Sequence, residues 1–214
     1  MTTINGKARP LAALIAVIAW AAILLQLYLS LSYAAASGKT VGQGLVMYFG
    51  FFTVLTNLLV CLAATWPLVA PASVPGRFFA RPVAIGWVAA SIAFVGIAYY
   101  VLLRHVWHPQ GLQLLADVLL HYVSPILFVI YSLVVLRGVA LRWTAPLWWS
   151  LYLAVYFVYV LIRGAIIGSY PYGFIDASKL GYAIALRNGI FLLVAFLLLA
   201  YVLMLIWRIG AKRS

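Results

Sequence analysis

The chain has 214 residues, with 14 Lys and Arg against 2 acidic side chains, a net charge of +12, 68% hydrophobic residues and 7% charged ones. A soluble domain would carry about 25% charged residues; with a mean hydropathy of +1.15, the composition excludes a water-soluble globule and indicates an integral membrane protein. The cations stand singly rather than in clusters, which argues against nucleic acid as a partner.

Apolar runs longer than about 18 residues read as spanning helices. Six are expected, at Leu11–Ala35, Gly44–Ala70, Arg81–Leu103, Ala116–Arg137, Ala145–Gly168 and Ile184–Trp207. The runs lack the alternation of a β-barrel, and unpaired backbone is costly in hydrocarbon, so the class is all-α. The connectors are short and turn-like, and no repeat appears, so residues 1–214 form one domain, a six-helix transmembrane bundle. The first run is too long for a signal peptide and is expected to remain as the first span.

In the second run, Thr53, Thr56 and Asn57 stand at i, i+3 and i+4 and share one face. The structural alternative is threonines bonded to their own backbone and an asparagine joining two helices. The functional one is a hydroxyl nucleophile with an amide placed to hold an oxyanion. Cys61 lies mid-span, so neither a disulfide nor a metal framework is available. After the third run, His105 and His108 flank Trp107 without a third strong ligand; no metal and no cofactor is expected. The G-x-S-x-G and H-E-x-x-H signatures and a Gly-rich phosphate loop are absent.

The fourth run reads DVLLHYVSPILF. Asp117 and His121 are four apart and can touch, and an acidic partner would fix the imidazole tautomer and raise its basicity. Pro125 removes the helical donor to the His121 carbonyl, which predicts a kink and a polar notch. An interhelical hydrogen bond beside an ordinary proline kink is the structural alternative. The fifth run carries Tyr152, Tyr156, Tyr159 and Arg163 at helical spacing. They form either a packed stripe capped by a snorkelling arginine or an amphipathic wall with a cation for a headgroup or carboxylate.

Lys39, Arg104, Arg163, Lys179 and Arg187 fall on one side of six spans and the other nine of the 14 cations on the opposite side, which places both termini in the cytoplasm. With that orientation Thr53, Asp117, His121, Arg163 and Arg187 all fall in the outer half of the bundle. Facing helices build sites from such convergent side chains. Ionisable groups inside a membrane are functional candidates by default.

FFTVLTN in the second run, the acid four residues before His121, and RGAIIGSYPYGFIDASKLGY from Arg163 to Tyr182 resemble the androgen-induced membrane hydrolase family, in its bacterial six-span branch. Eukaryotic members cleave fatty acid esters of hydroxy fatty acids with a threonine and a histidine. The likeness runs from about Met47 to Tyr182 and implies that His121 is the family histidine. It places the threonine in FFTVLTN; Thr53, after two aromatics, fits better than Thr56. Asp117 stands where those relatives carry an asparagine, which allows either a triad-like arrangement or a local ion pair. The Tyr170–Pro171–Tyr172 segment with Asp176 is taken as an outer loop over the cavity.

The expectation is therefore an integral-membrane lipid ester hydrolase of a bacterial inner membrane. Thr53 (or Thr56) would attack, His121 act as base, Asp117 orient the ring and Asn57 hold the oxyanion. Arg163, Arg187, Tyr159 and Asp176 are the candidate substrate-binding residues, with either arginine placed for a carboxylate. The expected partners are a lipid ester or fatty-acid-like ligand and the membrane lipids. The alternatives are a small proton-coupled transporter, with Asp117 and His121 as a relay, and a non-catalytic lipid- or quinone-binding protein.

Overall fold

The computed structural model describes residues 8–209; Lys7, Lys212 and Arg213, which count toward the charge bias, lie outside the described residues. The described residues form helices joined by short connections, with no strand among them. Six helices are long and apolar enough to cross a membrane: α1 (Arg9–Ala36), α3 (Phe52–Val69), α5 (Pro82–Leu103), α6 (Gly111–Val135), α7 (Ala145–Ile167) and α9 (Tyr182–Arg208). Three short helices join them: α2 (Val41–Tyr48), α4 (Val74–Phe79) and α8 (Ala177–Leu180).

The hub is α5, which packs against α3, α6, α7 and α9, while α1 covers α2, α3 and α6. Its apolar residues run all round, the pattern of a helix enclosed by others. Ala84, Ala89, Ala90 and Ser91 are buried along it. Small side chains at such positions let neighbouring backbones approach, which is how helices associate where lipid supplies no hydrophobic drive.

The second span departs from the expected Gly44–Ala70 run. It breaks at Phe49–Phe51 into α2 and α3. A break exposes backbone carbonyls, and at membrane depth these must find protein donors. The stripe on α7 supplies them. Arg163 Nη2 donates to Val46 O at 3.1 Å, Tyr159 to Phe49 O at 3.5 Å and Tyr156 to Gly50 O at 2.9 Å. One turn further on, the Tyr152 hydroxyl meets Thr56 Oγ1 at 3.2 Å. Gly50 leaves room for the guanidinium: a Cβ would come within 2.9 Å of Arg163 Cζ and 3.1 Å of Met47 O. The stripe thus splints a broken helix.

Tyr156→Phe should therefore cost about 1–3 kcal/mol, the penalty for a buried carbonyl left unpaired, and lower the thermal unfolding midpoint in detergent. Tyr159→Phe, at an exposed position with a long bond, should change it little. Equal shifts for the two variants would contradict the splint.

The kink expected at Pro125 takes the form of a π-turn, Leu119–Val123, around His121. Ser124 N–H is drawn to Leu119 O, and Pro125 has no N–H, so α6 itself offers the Leu120 carbonyl no donor. Asn57 Nδ2 supplies one at 3.2 Å from α3. The His121 carbonyl lies against Gly96, where a Cβ would meet it at 3.2 Å. A second π-turn, Tyr99–Leu103, closes α5 beside it.

Candidate active site

Thr53 sits in the first turn of α3, immediately past the break. Its Oγ1 lies 3.3 Å from His121 Nε2 across the α3–α6 interface. His121 Nδ1 faces two acceptors of its own helix, Asp117 O at 3.0 Å and Asp117 Oδ1 at 3.2 Å. With acceptors on that side, the neutral ring carries its proton on Nδ1 and turns the Nε2 lone pair toward the threonine hydroxyl. That is the tautomer a general base needs.

Asp117 is 3% exposed, so its carboxylate has to be satisfied by protein groups. Tyr99 does this, donating to Oδ2 at 2.5 Å. The same tyrosine ring stacks on His121 with centroids 4.0 Å apart and 20° between planes. Tyr99 thus clamps both the imidazole and its orienting acid. Nothing in the sequence pattern singled it out, since a tyrosine pair at the end of an apolar run looks like an interfacial anchor.

Thr56 is buried and paired with Tyr152 rather than with the histidine. Asn57, expected as an oxyanion donor, has another task. Its Nδ2 donates to Thr53 O of its own helix at 2.9 Å and to Leu120 O at 3.2 Å, so both amide hydrogens are committed, the second of them tying α3 to α6. Phe51 caps α3 without a side-chain hydrogen bond, and the N–H groups of Phe52 and Thr53 face the Tyr172 hydroxyl. Burial pushes the Tyr172 phenol above its ordinary value, with the Thr53 hydroxyl and these N–H groups drawing it back; it stays a donor at neutral pH.

A cavity of about 280 Å³ opens beside Thr53, bounded by α3, α5, α7, α9 and the loop residues Tyr172, Phe174 and Ile175. None of the four expected substrate-binding residues lines it. Arg163 is spent on Val46 O and Ser169 O. Arg187 is exposed and lies over Phe191. Tyr159 is exposed on α7. Asp176 caps α8 through Ser178 N–H and pairs with Lys179 at 3.7 Å; the Ser178 hydroxyl, chiefly, holds its carboxyl below the usual carboxylate range. Arg163, Tyr159 and Asp176 shape the loop and the broken helix around the cavity. A spacing pattern does not reveal the roles of Arg163 and Tyr159, whose partners are backbone carbonyls rather than side chains.

No group of three or more His, Cys, Asp or Glu placed to hold a metal occurs among the described residues. No family model, curated protein or solved structure matches the chain. Its chemistry has to come from the geometry.

Proposed function

We propose that this protein is an integral-membrane threonine hydrolase that cleaves a lipid ester, of the kind found in fatty acid esters of hydroxy fatty acids. The observation that carries it is the line Thr53 Oγ1, His121 Nε2, His121 Nδ1, Asp117, with separations of 3.3 and 3.2 Å and with Thr53 lining an apolar cavity. Nucleophile, base and orienting acid in hydrogen-bond sequence are the working parts of acyl transfer. The 3.3 Å contact is long, as such contacts are before substrate tightens them.

In the first step Thr53 Oγ1 bonds to the ester carbonyl carbon as its proton passes to His121 Nε2. The Phe52 and Thr53 N–H groups, with the Tyr172 phenol, hold the oxyanion. Asp117 stabilises the imidazolium. Collapse breaks the carbon–oxygen bond to the alcohol, which leaves with the proton from His121. Water, deprotonated by His121, then attacks the threonyl ester and releases the carboxylic acid, regenerating the hydroxyl. No redox partner is needed.

The uneven distribution of Lys and Arg between the two sides supports cytoplasmic termini, with the site in the outer half. The test is turnover in proteoliposomes of a panel of lipid esters that includes fatty acid esters of hydroxy fatty acids. Release of acid and alcohol in equal amounts is expected. A folded protein that turns over no member of the panel, while passing protons or solute across the bilayer, would overturn the assignment in favour of a carrier.

A further inference from the structure

The cavity beside Thr53 is walled almost wholly by carbon. The polar residues that line it are Thr53, Tyr99, Tyr156 and Tyr172; no charged residue takes part. A charge placed there would lose its hydration with no partner, at a cost of several kcal/mol. The cavity therefore selects an uncharged occupant.

Its size and mouth narrow the choice further. An apolar cavity of about 150 Å³ stays dry and binds one benzene. At that ratio, 280 Å³ holds about eleven carbon atoms. Two of its lining residues, Val158 on α7 and Ile190 on α9, are 56% and 62% exposed. These two residues leave the seam between α7 and α9 accessible from outside the chain, and both helices are long and apolar enough to cross a membrane. At the same seam the Phe157 ring lies on Gly189, where a Cβ would meet Cζ at 2.4 Å; both residues line the cavity.

We infer that this cavity is the acyl-chain subsite of the hydrolase proposed above, built for an uncharged chain of medium length, about ten carbons. The chain enters sideways from the membrane between α7 and α9, and the alcohol portion of the ester stays outside. This assignment rests on the threonine-hydrolase mechanism for its link to Thr53, but the occupant follows from the cavity itself.

Two measurements on the reconstituted or detergent-solubilised protein separate the two ideas. The first is kcat/KM for 4-methylumbelliferyl esters of saturated acids from four to sixteen carbons. An optimum near ten carbons is expected, with at least a tenfold fall toward both ends. Phe157→Ala should move the optimum toward longer chains, and Ala98→Leu, at another lining position, toward shorter ones. The half ester of a ten-carbon dicarboxylic acid should be turned over at least tenfold more slowly than the decanoate. The second is the rise in thermal midpoint produced by saturated fatty alcohols of the same lengths, which needs no chemistry. The same length preference and the same Phe157→Ala shift are expected. Length-dependent stabilisation without turnover of any ester would remove the hydrolase and keep the subsite's occupant. A flat stabilisation profile unmoved by either variant, or free acceptance of the terminally charged chain, would overturn the subsite whatever the turnover.

Discussion

Thr53→Ala is expected to lower kcat/KM for ester hydrolysis by roughly 10⁴- to 10⁶-fold, the scale on which loss of the nucleophile acts in hydrolases of this logic. The protein should remain folded, because Thr53 Oγ1 touches His121 and Tyr172 and caps nothing in its own helix. Thr53→Ser should keep most of the activity. The threonine methyl restricts χ1 in a helix, so serine supplies the same oxygen with a looser aim. Thr56→Ala separates the two hydroxyls of the segment: it breaks the 3.2 Å contact to Tyr152 and should leave the chemical step unchanged. If Thr56→Ala is dead and Thr53→Ala active, the assignment of the nucleophile is wrong.

His121→Ala should be as severe as loss of the nucleophile, since groups that act as a unit fail together. Asp117→Asn should fall between, with a loss of roughly 10²-fold, at the low end of what general acid–base partners contribute. The reason for the smaller effect is specific to this site. His121 Nδ1 also faces the Asp117 main-chain carbonyl at 3.0 Å, and that acceptor survives the substitution. The ring keeps its tautomer and loses only the charge that stabilises the imidazolium. A rate for Asp117→Asn as low as that of His121→Ala would mean that the carboxylate, not the carbonyl, sets the tautomer.

The parts of this protein that the sequence makes legible are those written in side-chain spacing. Long apolar runs yield six spans whose edges fall within a few residues of the observed helices, except where α2 parts from α3. The i, i+4 relation brings Asp117 and His121 together on α6, and the unusual polarity of both segments brings Thr53 opposite them.

What stays hidden depends on backbone. The break at Gly50 lies in a continuous apolar run whose one proline, Pro67, is far from it, and Tyr156, Tyr159 and Arg163 on a distant helix pair its carbonyls. The role of Asn57 needs a π-turn that Pro125 helps create. Tyr99 is indistinguishable from Tyr100 in sequence, yet one is buried on Asp117 and the other exposed. The same tertiary dependence explains why Arg163, Arg187, Tyr159 and Asp176 attract attention as ligand-binding groups and lie outside the cavity lining.

The account turns on a hydroxyl activated by an imidazole at the rim of an apolar cavity inside the bundle. Mass spectrometry of peptides from protein treated with an alkyl fluorophosphonate in membranes tests this most directly. The adduct should reside on Thr53, with no adduct on Thr56, and should vanish in His121→Ala while the protein remains folded. An adduct on any other residue, or labelling that persists undiminished in Thr53→Ala, would contradict it.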